Sequence, residues 1–247
     1  MTLRRKLSAA EVVAAWRGGV IVSCQAPEGS PLRQPSIMAA MAQAGALAGA
    51  VGIRANGPAD VAAIRAVVDL PIVGIDKRPD IDPLVYITPS IESVAGLVDA
   101  GADLVAIDAT LRPRNGGGAP SAAELLAQIH AAYPGLPVMA DVSNVPEGVA
   151  AAAARADIVA TTLSGYTGEA VPADGPDIEL IAALVAAQDR PVVAEGRFAT
   201  PEQVAAAFAA GAHAVVVGTA ITDALALARR FVGAAPSSSV QPRERSA

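Results

Sequence analysis

Of the 18 basic side chains in this chain only two are lysines, Lys6 and Lys77, and Lys77 follows an apolar run where a buried strand would end. Arginine keeps its charge at any working pH, whereas a lysine amine can lose its proton. A lysine in that place therefore suggests a base or a nucleophile. A second candidate is Glu195, which comes directly after Pro191-Val192-Val193-Ala194 and before Gly196-Arg197. A surface glutamate commonly ends as an ion-pair partner, here of Arg197, but Gly196 lets the backbone come close to a ligand. Gly196-Arg197 and the pair Gly218-Thr219 close the last two apolar runs and read as loops that offer N–H groups to a phosphate.

The elements that must carry these residues are eight short apolar runs, beginning at Val20, Ala50, Pro71, Leu104, Pro137, Ile158, Pro191 and Ala214. They hand over to Gln25, Arg54, Asp76-Lys77-Arg78, Asp108, Asp141, Thr161-Thr162, Glu195-Gly196-Arg197 and Gly218-Thr219. A parallel strand covered on both faces reads as a continuous apolar run, so its polar residues gather at the end. Between the runs lie helix signals: Pro58 after Gly57, the pairs Thr88-Pro89 and Thr200-Pro201 as cap plus first turn, and capping boxes at Ser121/Glu124 and Thr200/Gln203.

Strict alternation of strand and helix over 247 residues predicts an α/β fold, a (β/α)8 TIM barrel of the phosphate-binding type. Residues 88–110 echo residues 200–220, each running from Thr-Pro through an Ala-rich helix to Ala-Gly-Ala and a strand. Such an echo of units four and eight favours a closed eightfold ring. Residues 1–17 are expected to hold a short N-terminal helix over Leu7 to Arg17 with Ser8 and Glu11 as its box, residues 18–233 the barrel, and residues 234–247 a disordered tail. In an eightfold ring strands three and seven face each other, so Lys77 and Glu195 are expected to flank one substrate.

The net charge of −6 argues against a nucleic-acid partner. No apolar run is long enough for a membrane span, no secretory leader is evident, and the single cysteine, Cys24, fits a reducing cytoplasm as a small buried hydrophobe. Asp108 and Asp141 invite a metal. Yet His130 lies near a helix end and His213 precedes the eighth strand, so hydrogen bonding to sugar hydroxyls or basic neighbours is expected instead, with no metal site. The apolar, Ala-rich surface is expected to form a homodimer.

The segments Gly18-Gly19-Val20-Ile21-Val22-Ser23-Cys24-Gln25-Ala26, Ala50-Val51-Gly52-Ile53-Arg54-Ala55-Asn56, Thr161-Thr162-Leu163-Ser164-Gly165-Tyr166-Thr167, Ala194-Glu195-Gly196-Arg197 and Gly211-Ala212-His213-Ala214-Val215-Val216-Val217-Gly218 resemble those of the N-acetylmannosamine-6-phosphate 2-epimerase family. The resemblance runs from about Gly18 to Val232. It implies an isomerase of sialic acid salvage that interconverts N-acetylmannosamine 6-phosphate and N-acetylglucosamine 6-phosphate without a cofactor. It also implies Lys77 and Glu195 as the catalytic pair and Gln25, Arg54, Asp141 and Arg197 as substrate contacts. Asp76 departs from the family pattern, where an apolar residue precedes the lysine, and a carboxylate close to the amine would favour its charged form.

Chemically, one group removes the proton at C2 of the open-chain sugar and the other returns a proton to the opposite face. Lys77 as base and Glu195 as acid is the expected assignment, with the roles interchangeable at this level, and Arg54 or protonated Lys77 as donor to O1. Other readings remain open: a different phosphosugar TIM-barrel isomerase, an aldolase with Lys77 as its Schiff-base amine, or a non-catalytic phosphosugar-binding protein.

Overall fold

The computed structural model describes residues 7–82, 84, 86–114, 120–168 and 175–236. Its eight strands are β1 (Val20–Cys24), β2 (Gly52–Asn56), β3 (Ile72–Ile75), β4 (Leu104–Asp108), β5 (Val138–Asp141), β6 (Ile158–Ala160), β7 (Val192–Glu195) and β8 (Ala214–Val217). Each pairs in parallel with the next, and β8 pairs with β1, which closes the barrel. The helices are α1 (Ala9–Trp16), α2 (Pro35–Leu47), α3 (Pro58–Arg65), α4 (Ile91–Asp99), α5 (Ala122–Ala132), α6 (Val145–Ala153), α7 (Ile178–Ala187), α8 (Pro201–Ala209), α9 (Thr219–Thr222) and α10 (Ala224–Gly233). A (β/α)8 barrel with a short N-terminal helix is what the run pattern predicts.

Two separate apolar clusters follow from the period of two along each strand. One, with Ile53, Val105, Ile107, Val138 and Val215, packs against the helices. The other, with Ile21, Val73, Ile75, Leu104, Met139, Ile158, Val193 and Val216, fills the barrel. The inner positions, continued toward the carboxyl ends, arrive at Lys77, Asp108, Asp141, Thr162 and Glu195. The same alternation that fills the barrel thus aims the polar ring.

Helix α1 closes the opposite end. Val12 and Trp16 are fully buried in the interior cluster, and Val13 O lies 2.6 Å from Nε2 of His213, just before β8. The Ser8/Glu11, Ser121/Glu124 and Thr200/Gln203 capping boxes all form.

The echo between units four and eight extends to hydrogen bonds. Gly101 and Gly211 both have positive φ, 100° and 96°, and each follows a helix whose last turn is closed the same way. Gly101 N donates to Val98 O and Ala102 N to Leu97 O, while Gly211 N donates to Phe208 O and Ala212 N to Ala207 O. This is the Schellman closure, in which a left-handed glycine satisfies the last carbonyls.

Three expectations need correction. Thr88-Pro89 does not cap α4; Ser90 does, accepting from Ser93 N, because the Thr88 hydroxyl is occupied by Asp76 N at 3.1 Å and Thr88 itself turns at φ 49°. Strands β2, β3, β5 and β7 start one or two residues after their apolar runs. Arg54 is not a strand ending but the middle residue of β2, whose charge the barrel interior accepts for a reason given below. The disordered tail expected over residues 234–247 lies, from 237 onward, outside the described residues.

Gly52 tests the plug. A Cβ there would come within 2.5 Å of Trp16 Nε1 and 3.3 Å of Pro71 O, so the indole would have to move. Gly52→Ala is expected to destabilise the fold by about 1–3 kcal/mol in urea denaturation. An unchanged midpoint would mean that α1 packs loosely.

Candidate active site

At the carboxyl ends of the strands opens a cavity of about 480 Å³, lined among others by Gln25, Arg54, Lys77, Tyr86, Thr162, Glu195, Gly196, Arg197, Gly218 and Thr219. Every expected site residue except Asp141 lines it. Asp141 is fully buried at the end of β5 and reaches the cavity through Arg54 and Thr162.

The centre of the site is a buried ionic cluster. Arg54, 1% exposed, meets Asp141 through both oxygens, Nη1 to Oδ1 at 3.2 Å and Nη2 to Oδ2 at 2.6 Å. Its Nη1 also lies 3.0 Å from Glu195 Oε2. Burial opposes the charge on Arg54, but Asp141 and Glu195 together outweigh it and hold the guanidinium protonated more firmly than usual. Two carboxylates around one cation are what allow an arginine inside β2.

Thr162 ties the cluster together. Its hydroxyl lies 2.7 Å from Asp141 Oδ1 and 3.1 Å from Glu195 Oε2. Thr161 fixes the neighbouring backbone, donating to Glu195 O at 2.9 Å and accepting from Glu195 N at 3.0 Å. Burial pushes the Glu195 carboxyl above its ordinary value; Arg54 pulls it down, and the like charge of Asp141 pushes it further up. Glu195 therefore pairs with Arg54 on β2, not with its neighbour Arg197.

Lys77 projects into the same cavity with its backbone N–H held by Asn56 Oδ1 at 3.0 Å. Its ammonium makes no hydrogen bond or ion pair among the described residues. Burial by the cavity walls lowers its pKa, and the nearby charge of Arg54 lowers it further, against the opposing pull of Glu195 and Asp141. Asp76 plays no part in that balance. As strand alternation requires, it points the other way and accepts a hydrogen bond from Ser93 Oγ on α4 at 2.7 Å.

The remaining expected residues are held less directly. Gln25 Nε2 donates to Ser23 Oγ at 2.7 Å. Arg197, at φ 56°, donates from Nε to Gly175 O and from Nη1 to Ser164 O, and its guanidinium lies 5.8 Å from the centre of the Tyr166 ring. Asp108 stands apart from the Lys77 pair, engaged by Thr110 at 2.6 Å and Arg112 at 2.9 Å. Sequence reasoning singled out neither Tyr86 nor Arg33, both of which line the cavity from loops without periodic pattern. Among the described residues no group of three His, Cys, Asp or Glu is arranged to hold a metal ion.

A closed parallel barrel with a lysine and a largely buried carboxyl in the cavity at its carboxyl-terminal mouth has the form of a TIM-barrel enzyme. Comparisons narrow the class. A family model described as "Putative N-acetylmannosamine-6-phosphate epimerase" matches residues 38–237. Relatives carrying that description as a 2-epimerase include one from Caldanaerobacter subterraneus subsp. tengcongensis, 46% identical over 90% of this chain and 93% of its own, and one from Cutibacterium acnes, 49% identical over 85% and 91%. The solved structure of the N-acetylmannosamine-6-phosphate 2-epimerase from Clostridium perfringens superposes with a TM-score of 0.84 at 40% identity, covering 90% of this chain and 95% of that one. The chain belongs to the N-acetylmannosamine-6-phosphate epimerase family.

The ionic cluster makes its own prediction. Arg54→Leu leaves two buried carboxylates without their cation, at an expected cost of about 3–5 kcal/mol near neutral pH. Without Arg54 the Glu195 carboxyl, already raised by burial, loses the cation that pulls it down and rises further. Protonation then favours the folded state, and the deficit shrinks as pH falls through that raised value. Urea denaturation at neutral and mildly acidic pH reads this out; a deficit independent of pH would mean that lost packing, not unpaired charge, causes it.

Proposed function

We propose that this protein interconverts N-acetylmannosamine 6-phosphate and N-acetylglucosamine 6-phosphate in amino-sugar and sialic acid breakdown, with Lys77 and Glu195 as the proton-transfer pair. The observation that carries this reading is that both groups open into one cavity with their pKa values pushed toward each other, the amine down and the carboxyl up. Groups tuned in this way can exchange protons with a weakly acidic carbon near neutral pH.

In one direction the neutral Lys77 amine takes the proton from C2 of the open-chain sugar. The C–H electron pair forms the C1–C2 double bond, and the carbonyl pair moves onto O1 as an enolate. Arg54, or Lys77 once protonated, donates a hydrogen bond to O1. Glu195 then gives its proton to C2 from the opposite face, and the electrons return to the carbonyl. In reverse the two groups exchange roles, which requires one proton shared between them at the start of either direction.

The phosphate is assigned to the mouth between Gly196-Arg197 and Gly218-Thr219, with Gln25 on the sugar side. No described helix is long and apolar enough to cross a membrane. The buried Cys24 suits a cytoplasmic setting. A homodimer is supported by α10, which has no buried residue and leaves Phe231 and Val232 exposed. Sedimentation equilibrium is expected to give twice the chain mass, and a monomer at all concentrations would refute this.

The decisive experiment is incubation with N-acetylmannosamine 6-phosphate in deuterated water with no added cofactor, giving the gluco epimer with deuterium at C2. Lys77→Met and Glu195→Gln should still bind substrate while turnover collapses. In the unaltered protein kcat/KM should rise through an apparent pKa above the ordinary 4.5 of a glutamate and fall through one below the ordinary 10.5 of a lysine. Below both values no base remains, above both no acid, and the two constants belong to the pair. Near-native turnover by both variants would sink the assignment; trapping of substrate on Lys77 by borohydride would point to Schiff-base chemistry instead.

A further inference from the structure

Four cationic side chains line the cavity, Arg33, Arg54, Lys77 and Arg197, and three are committed. Arg54 holds Asp141 and Glu195, and Arg197 is tied to the carbonyls of Ser164 and Gly175. Lys77 is the base in the reading above. Arg33 is exposed and makes no side-chain hydrogen bond or ion pair among the described residues, although its charge acts on Asp60 at the start of α3.

The backbone under Arg33 is nonetheless fixed. Arg33 N donates to Ser30 O at 3.1 Å, Leu32 N to Ser30 Oγ at 3.2 Å, and Gln34 N to Leu32 O at 2.8 Å. This turn leaves the end of β1, which lies beside β8 in the closed ring. The two exits touch: Thr222 Oγ1 donates to Ser23 O at 2.8 Å, and a Cβ on Gly218 would meet Ser23 Cβ at 3.3 Å. Arg33, from the turn after β1, and the Gly218-Thr219 end line the same cavity.

Charge makes such a side chain necessary. Glu28 and Asp223 line the same cavity, and although Asp223 spends one oxygen capping α10 through Ala226 N, both carboxylates repel a phosphate dianion. We propose that Arg33 is the phosphate clamp of this site, reaching across from the β1 turn to hold the substrate's phosphate and so select phosphorylated over neutral sugar. A guanidinium suits the task because its paired N–H donors match two phosphate oxygens. The inference rests on the proposed phosphosugar substrate, which places the phosphate at this end.

The test uses Arg33→Gln and Arg33→Lys in the full chain, with inorganic phosphate as the probe for direct binding. For Arg33→Gln, KM for the phosphosugar and the dissociation constant of inorganic phosphate should each rise about 10- to 100-fold, the loss of one charge-assisted contact. The loss in kcat should be far smaller, and the penalty on the same sugar without its phosphate smaller still. Arg33→Lys should recover part of the affinity, because it keeps the charge and loses the paired donors. Unchanged phosphate affinity, or equal losses on both sugars, would overturn the proposal. Calorimetry with inorganic phosphate decides the role of Arg33 without any turnover, so an unaltered protein inactive toward the phosphosugar would refute the proposed function and leave the clamp decided on its own measurement.

Discussion

The site depends on one buried cation. Arg54 in the middle of β2 is closed off from water, and only the two carboxylates that converge on it from β5 and β7 make its burial tolerable. In return it fixes the middle of β2 and the ends of β5 and β7 relative to one another. Burial does most of the tuning and the charge of Arg54 adjusts it, pushing the Lys77 amine further down by repulsion and restraining the rise of Glu195 by attraction. Hydrophobic residues of the same volume would pack at least as well, so the cluster serves position and potential more than stability.

Placing that cluster is the work of strand alternation. Gly52 lies against the Trp16 plug, Arg54 two residues on meets Asp141, and Asn56 two further on holds the Lys77 backbone. One face of one strand thus runs from core to ionic cluster to active-site rim within five residues. The helices are held at the other face mainly by Val, Ile and Leu, with alanines filling the gaps between them.

Much of this was legible in the sequence, for physical reasons. Eight apolar runs with polar endings reveal parallel strands buried on both faces, and the rarity of lysine marks Lys77. Ser-x-x-Glu patterns predict helix starts because the capping hydroxyl must sit three residues before its partner. The failures also have causes. A charge inside a strand reads as a strand end unless its counter-ions, 87 and 141 residues away in sequence, are known. Thr88 has the composition of a cap but is recruited by Asp76 N across a loop. Arg33 lies in a turn, where no periodicity tells a solvated arginine from one that lines a cavity.

The hydroxyl of Thr162 bears on a question the sequence leaves open, which member of the pair holds the proton. Thr162 lies within hydrogen-bond distance of both Asp141 Oδ1 and Glu195 Oε2, yet a threonine has one proton to donate. If Glu195 is ionised, one of the two contacts sets an oxygen lone pair against another. If Glu195 is protonated, it can donate to Thr162, which donates to Asp141, but the same Oε2 then meets Arg54 Nη1 at 3.0 Å as a neutral oxygen rather than a carboxylate. Asp141, with Arg54 on both oxygens, is the better place for the negative charge. The geometry therefore couples the proton on Glu195 to the charge on Arg54, because the contact with Thr162 and the contact with Arg54 share one oxygen. A protonated Glu195 beside a neutral Lys77 is the state that the proposed assignment of acid and base requires, and the repulsion between Arg54 and an ammonium at Lys77 acts in its favour.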